Sequence, residues 1–108
     1  MVIEIRFLYW DDCQSHDDAL ARLRRCIDNE GVEADLQIIR VQTLEEAVKF
    51  RFVGSPTILV NGDDIDPPKT SHYALTCRGY SLEDGRISPL PPESLILKAL
   101  RKAKAKKS

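Results

Sequence analysis

Hydrophobic positions alternate at the start of the chain and then recur at helical spacing. Residues 2–9 are rich in branched and aromatic side chains, and one face of the segment is apolar at Ile3, Ile5, Phe7 and Tyr9. This alternation predicts a strand. From residue 13 to residue 30 the period changes, because apolar side chains recur every three or four positions, at Ala19, Leu20, Leu23, Cys26 and Ile27. That spacing predicts an amphipathic helix that ends near Gly31.

The middle of the chain predicts two more strands and a short helix between them. Residues 34–41 and 57–60 are rich in the branched residues that strands favour. Thr43, with Glu46 three residues later, matches a capping box, which predicts a helix to about residue 52. Asn61-Gly62 indicates a tight turn, after which residues 63–65 begin a return strand. Asp63 and Asp64 are interpreted as solvated turn charge.

The C-terminal third predicts loop, strand, turn and helix. Residues 66–71 have loop composition, 74–80 alternate like a strand, and 83–86 form a turn. Pro91-Pro92-Glu93 opens the last helix, because proline suits a first helical turn.

The resulting element order is β-α-β-α-β-β-α, which predicts an α/β fold with a mixed four-stranded sheet and helices on both faces. The first two strands are expected to be parallel, with a right-handed crossover. The expected core comprises Ile3, Ile5, Phe7, Leu20, Leu23, Ile38, Val48, Ile58, Val60 and Leu97.

Length and composition favour one domain. A chain of 108 residues builds a single core, and neither a linker nor a repeat divides it, so residues 1–108 are expected to form one unit. No apolar run approaches the ~20 residues of a membrane span, and Glu4 and Arg6 interrupt the N-terminal run. We therefore expect no signal peptide and a cytoplasmic protein.

The charge is distributed unevenly, because the body is acidic and the tail, about residues 101–108, is basic. We interpret the tail as a solvated helix end that suits the C-terminal dipole, with contact to nucleic acid or anionic lipid as the alternative. The basic residues of the last eleven positions are Lys98, Arg101, Lys102, Lys104, Lys106 and Lys107.

Cys13 is the most informative single residue. It opens the predicted helix, where unpaired backbone N–H groups and the helix dipole favour the thiolate. Asp11 and Asp12 raise the thiol pKa if they face the sulfur, but not if they cap the helix and point away. His16 lies one predicted turn later and is either an imidazolium that stabilises the thiolate or an exposed polar residue. The alternative for Cys13 itself is a small, partly buried apolar residue.

The other two cysteines are predicted to differ from Cys13 and from each other. Cys26 lies thirteen residues further along the same helix, roughly 20 Å away, whereas a disulfide needs Cα atoms within ~7 Å. We expect Cys26 in the core. Cys77 is either a structural thiol, or a resolving thiol or soft-metal ligand folded back beside Cys13. Three irregularly spaced cysteines do not indicate a disulfide-stapled secreted scaffold.

Some forty residues after Cys13, Gly54-Ser55-Pro56-Thr57 leads into the apolar run 58–60. With this motif, the element order and Cys13 at a strand-to-helix junction, nearly the whole chain resembles the thioredoxin-fold superfamily. The resemblance implies a three-layer sandwich in which Pro56 is cis and lies beside the nucleophile, while the Ser55 backbone pairs with bound peptide or glutathione. It makes Ser55, Pro56 and Thr57 the expected substrate-binding residues.

The chain also departs from that family. The second cysteine of the usual Cys-x-x-Cys pair is replaced by His16. Between the two positions stand Gln14-Ser15, where relatives often have proline or glycine-proline. Trp10 stands three residues before Cys13, whereas thioredoxins have a tryptophan next to the nucleophile. Residues 66–90 are longer than a minimal hairpin. The chain also resembles a group of small bacterial thioredoxin-like proteins of uncertain role, through residues 54–66, Cys77-Arg78 and residues 91–93.

Three functions are compatible with these residues. The first is a monothiol thiol-disulfide oxidoreductase, in which Cys13 attacks, His16 tunes the sulfur, and glutathione or Cys77 resolves the mixed disulfide. The second is a non-enzymatic binding module. The third is capture of Zn, Cu(I) or Hg by Cys13, His16 and Cys77.

Trp10 is expected beside the site, either as a lid on the core or as a substrate platform. The expected partners are protein or glutathione thiols and disulfides, with no cofactor, no nucleic acid and no membrane.

Overall fold

The computed structural model describes residues 2–68 and 72–105 of the chain. None of the helices in these two ranges has the length and apolarity that a bilayer crossing requires. In chain order the elements are β1 (Ile3–Tyr9), α1 (His16–Glu30), β2 (Ala34–Arg40), α2 (Leu44–Lys49), β3 (Thr57–Val60), β4 (Asp63–Asp64), β5 (Tyr80–Ser81), β6 (Ile87–Ser88) and α3 (Glu93–Ala105).

A mixed four-stranded sheet organises the molecule, as predicted. Its strands lie in the order β2-β1-β3-β4. β1 pairs with β2 in parallel and with β3 antiparallel, and β3 pairs antiparallel with β4 across the Asn61-Gly62 turn. β5 and β6 form a separate two-stranded sheet that the sequence did not predict. The predicted turn at residues 83–86 connects these two strands, where the Leu82 N–H donates to the Arg86 carbonyl at 2.8 Å.

Helices cover both faces of the sheet because alternate residues of β1 point in opposite directions. One core joins Ile5 and Phe7 of β1 to α1 and α3, including Leu23 and Leu100. The second core joins Leu8 of β1 to α2 and the segment after it, through Val41, Ala47 and Phe52. The fold is therefore α/β, with α1 and α3 on one face and α2 on the other.

Most of the expected core residues are buried, and the exceptions have simple causes. Ile38 is 44% exposed because β2 is an edge strand, and Val48 is 56% exposed because six-residue α2 presents Ala47 to the sheet instead. Leu20 and Leu97 are half-buried at the margin of the first core. The buried members are Ile3, Ile5, Phe7, Leu23, Ile58 and Val60.

Three predicted element boundaries are wrong. α1 begins at His16 rather than at residue 13, with Ser15 as its N-cap, because residues 11–15 form turns. The Asp11 carboxylate pairs with the Arg40 guanidinium at 2.6 Å and does not cap the helix. α2 ends at Lys49 instead of near residue 52. Residues 74–79, expected in a strand, lie outside any strand, and the predicted loop 66–71 is described only to residue 68.

The capping box at α2 provides a stability prediction. The Thr43 hydroxyl accepts the Glu46 N–H at 3.1 Å, and the Glu46 carboxylate accepts the Thr43 N–H at 3.2 Å. Thr43→Ala should lower the free energy of unfolding by about 1 kcal/mol, measured by urea denaturation. Ser15→Ala is the matched control, since the Ser15 side chain makes no capping hydrogen bond. Equal losses in the two variants would contradict the assignment.

Candidate functional site

Cys13 and Cys77 form a disulfide that joins positions 64 residues apart, with their Cα atoms 5.9 Å from each other. Cys13 is 2% exposed, whereas Cys77 is exposed. Cys77 therefore lies beside Cys13, while the choice between a structural and a resolving thiol stays a prediction. Cys26 is free and buried in the first core, as expected, and burial raises the pKa of its thiol.

The turn after β1 positions Cys13. The Cys13 N–H donates to the Trp10 carbonyl at 3.0 Å, and the Trp10 N–H donates to the Ser55 hydroxyl at 3.1 Å. Trp10 therefore connects the cysteine to the segment that precedes β3. It is half-buried and packs against the second core, which favours its interpretation as a lid on the core.

The Pro56 loop, residues 54–57, lies beside this turn. The Ser55–Pro56 peptide bond is cis, which confirms the expectation that came from the family resemblance. Ser55, Pro56 and Thr57 are all buried, and the Thr57 hydroxyl donates to the Gly54 carbonyl. In the oxidised protein these three side chains are therefore buried within the fold and are not exposed to a substrate.

Residues 76–78, here called the 76–78 segment, pair with the backbone of Ser55. The Ser55 N–H donates to the Thr76 carbonyl at 2.8 Å, and the Ser55 carbonyl accepts the Arg78 N–H at 3.1 Å. The chain itself thus occupies both backbone groups that were expected to bind substrate. Binding at Ser55 stays a prediction for a state in which this segment moves.

Residues 74–80 do not form the strand that their alternation predicts. Ser55 and Cys77 make an isolated parallel bridge outside the named strands. Of the predicted run only Tyr80 belongs to a strand, as the first residue of β5.

Gly54 allows the 76–78 segment to approach. Its φ is +144°, a backbone conformation that residues with a side chain rarely adopt. A Cβ at this position would lie 2.7 Å from the Arg78 Cβ and 3.0 Å from the Arg78 backbone nitrogen. Glycine is therefore required both by the local conformation and by the neighbouring backbone.

Arg78 connects the segment to β3 and β4. Its guanidinium donates to the Asp64 carboxylate at 2.9 Å and to the Asp66 carbonyl at 2.8 Å, and it lies over the Tyr80 ring, 4.5 Å from the ring centroid. The Tyr80 hydroxyl in turn donates to the Pro56 carbonyl. Arg78 and Asp64 side chains are only 9% and 11% exposed, so the pair is nearly closed to water.

Burial shapes the ionisation of this cluster. It raises the pKa of the Asp64 carboxyl, and the adjacent Arg78 guanidinium opposes that rise. Burial also raises the pKa of the Tyr80 hydroxyl, which stays a neutral donor to the Pro56 carbonyl. The interpretation of Asp64 as solvated turn charge is wrong, because the hairpin directs its carboxylate toward Arg78.

His16 does not have the predicted helical relation to Cys13. Because α1 begins at His16, Cys13 lies outside the helix, and the spacing of one turn between their side chains does not apply. The His16 ring stacks on Tyr9 with centroids 4.6 Å apart, and its Nδ1 lies 3.2 Å from the Asp17 carboxylate. A role for His16 in tuning the sulfur stays a prediction.

The soft-metal hypothesis gains no geometric support. Within residues 2–68 and 72–105, no group of three or more histidines, cysteines, aspartates or glutamates is arranged to hold a metal ion. Metal binding by cysteine requires the thiolate, and both sulfurs of the expected set are bonded to each other in this state.

Sequence reasoning missed Gly54, Asp64 and Arg78 as parts of the site. Gly54 and Arg78 each belonged to a motif noted for the family resemblance, but their contact joins positions far apart in the chain. No local pattern indicates such a contact.

No protein-family model, curated protein or solved structure matches the chain. The function is therefore inferred from the chemistry of the site.

Proposed function

We propose that this protein is a thiol–disulfide oxidoreductase that cycles between the Cys13–Cys77 disulfide and the dithiol. The observation that carries the proposal is the disulfide itself, which joins a buried cysteine to an exposed one beside the cis Ser55–Pro56 bond. A thioredoxin-like arrangement is supported by the strand, cysteine and helix at the N-terminus, and by the cis-proline before antiparallel β3.

The exposure of the two cysteines assigns their roles in exchange. An incoming thiolate reaches the exposed Cys77 more readily than Cys13, which is 2% exposed. Thiolate attack on Cys77 breaks the Cys13–Cys77 bond, forms a mixed disulfide on Cys77 and releases Cys13 as the thiolate. Cys77 is therefore the sulfur that exchanges with the substrate, which is the role expected of Cys13 from the sequence.

The reverse direction follows the same path. The Cys77 thiolate attacks a substrate disulfide, forms a mixed disulfide and releases one substrate thiolate. The Cys13 thiolate then attacks the Cys77 sulfur, re-forms the Cys13–Cys77 bond and releases the second substrate thiolate. Two electrons pass from the dithiol to the substrate. Two molecules of a thiol such as glutathione then reduce the Cys13–Cys77 disulfide back to the dithiol and leave as their own disulfide.

Single cysteine variants test this proposal. Wild-type protein should reduce a glutathionylated peptide in the presence of glutathione faster than a Cys13→Ser, Cys77→Ser double variant does. Cys13→Ser should accumulate a mixed disulfide on Cys77, identified by mass spectrometry, because the resolving thiol is missing. Cys26→Ala is the control and should keep the wild-type rate, since Cys26 is a free thiol buried in the first core, to which neither Cys13 nor Cys77 belongs.

The outcomes separate the function from the assignment of roles. Wild-type turnover equal to that of the double variant would contradict an oxidoreductase. The roles would be reversed, and the function kept, if a mixed disulfide forms on Cys13 in Cys77→Ser but none forms on Cys77 in Cys13→Ser.

A second candidate is a binding module in which the disulfide only stabilises the fold. It is favoured by the 76–78 segment, which occupies both backbone groups of Ser55. Structural disulfides resist reduction by glutathione, whereas catalytic disulfides exchange with it. In a compartment buffered by glutathione, as the predicted cytoplasmic localisation would be, disulfides are mostly transient, catalytic or redox-sensing. Equilibration of the protein with defined glutathione mixtures distinguishes the two candidates.

A further inference from the structure

The contacts of the 76–78 segment do not all depend on the disulfide. Its backbone hydrogen bonds to Ser55 and the Arg78 side-chain contacts are made by groups other than sulfur. Reduction of Cys13–Cys77 breaks one covalent bond and changes none of the groups that make these hydrogen bonds. The segment therefore has a second means of staying beside Cys13.

Arg78 provides the strongest of these contacts. Its guanidinium reaches an acceptor on β4, at Asp64, and another two residues further along the chain, at Asp66. Hydrogen bonds between ionised partners are stronger than neutral ones, and this pair is nearly closed to water. Arg78 directly follows Cys77 in the chain, so whatever fixes Arg78 also limits where the Cys77 sulfur can go.

A fixed partner raises the effective concentration of one thiol at the other. Closure of a disulfide within one chain depends on how often the two sulfurs meet in the reduced protein, just as a tether governs a second binding event. A mobile segment would let Cys77 move away from Cys13 and would make the disulfide easier to reduce.

We propose that Arg78 is a positioning residue for the Cys13–Cys77 pair, because its guanidinium holds the 76–78 segment against the Pro56 loop after the disulfide is reduced. This rests on the proposed function for its biological meaning. The equilibrium between the disulfide and the dithiol, however, can be measured whether or not the protein turns over a substrate.

The test compares Arg78→Gln with wild type and with Arg86→Gln, the matched control. Arg86 pairs with Asp84 on the surface, and its side chain is 76% exposed. Each protein is equilibrated with mixtures of reduced and oxidised glutathione, and the fractions of disulfide and dithiol are counted by thiol labelling and mass spectrometry. Arg78→Gln should lower the equilibrium constant for disulfide formation about tenfold or more, the size expected from losing hydrogen bonds to charged groups. Arg86→Gln should leave that constant unchanged.

A purely structural role gives a different result. It would lower the urea midpoint of oxidised and reduced Arg78→Gln alike, and it would leave the glutathione equilibrium at the wild-type value, which overturns the proposal. Arg78→Lys keeps the charge but replaces the planar fork by a point charge. Its equilibrium constant for disulfide formation should therefore lie between those of wild type and Arg78→Gln. If Arg78→Gln does not fold, a wild-type constant in Arg78→Lys overturns the proposal. If the wild-type protein turns over its substrate but Arg78→Gln leaves the glutathione equilibrium unchanged, only this inference is rejected. If Arg78→Gln shifts that equilibrium but the wild-type protein shows no turnover, only the proposed function is rejected.

Discussion

Replacing Cys77 with serine should lower the free energy of unfolding of the oxidised protein by about 2–4 kcal/mol. The disulfide joins residues 64 apart, and closing a loop of that length removes chain entropy from the unfolded state equivalent to about 4 kcal/mol at most. Because Cys77 is exposed, serine itself adds little cost at this position. Small domains have only about 5–15 kcal/mol in total, so the loss is a large fraction of their stability. Urea denaturation without reductant measures it.

Wild-type protein in excess dithiothreitol is the matched control for this variant. It should unfold with the same free energy as Cys77→Ser, and the variant itself should not respond to the reductant. The slope of the urea transition should also rise in both, because an uncrosslinked unfolded chain exposes more surface. A Cys77→Ser protein as stable as the oxidised wild type would contradict a stabilising disulfide.

Local sequence patterns predicted much of the secondary structure that surrounds the Cys13–Cys77 disulfide. The alternation in residues 2–9, the Thr43–Glu46 capping box and the Asn61-Gly62 turn each specify structure through neighbouring residues. β1, α2 and the β3–β4 hairpin accordingly form where they were expected, apart from shifts at their ends. The cis Pro56 bond was anticipated only through the family resemblance.

The site itself depends on contacts that local patterns do not carry. Alternation through Cys77 predicted a strand, but Cys77 makes an isolated bridge to Ser55, which lies more than twenty residues earlier in the chain. Cys13 was expected to begin a helix, yet its own N–H bonds to the Trp10 carbonyl in a turn, and the helix begins three residues later. Asp64 looked like turn charge because its partner, Arg78, lies fourteen residues away across the fold. Such pairings are decided by packing of the whole chain.

Gly54→Ala should destabilise the oxidised protein by about 3 kcal/mol. A residue with a side chain is strained at φ +144°, at a cost of about 1–3 kcal/mol. Its Cβ would also lie 2.7 Å from the Arg78 Cβ and 3.0 Å from the Arg78 backbone nitrogen, and overpacking of this kind costs about 1–3 kcal/mol. The backbone nitrogen cannot rotate away as the end of a flexible side chain would. Urea denaturation of the oxidised variant measures the combined loss.

Gly62→Ala separates the strain in the backbone from the collision with the 76–78 segment. Gly62 also has a positive φ, +88°, but a Cβ there meets nothing within 4 Å, so the expected loss is about 1–2 kcal/mol from conformation alone. The loss in Gly54→Ala should shrink when the disulfide is reduced, because only non-covalent contacts then hold the 76–78 segment, and these yield to the new methyl group at a lower cost than a covalent bond does. By the thermodynamic cycle, the Cys13–Cys77 bond must then be easier to reduce in Gly54→Ala by the same free energy, while Gly62→Ala keeps the wild-type equilibrium. Equal losses in oxidised and reduced Gly54→Ala would mean that the methyl group strains only its own loop and does not push against the segment that carries Cys77.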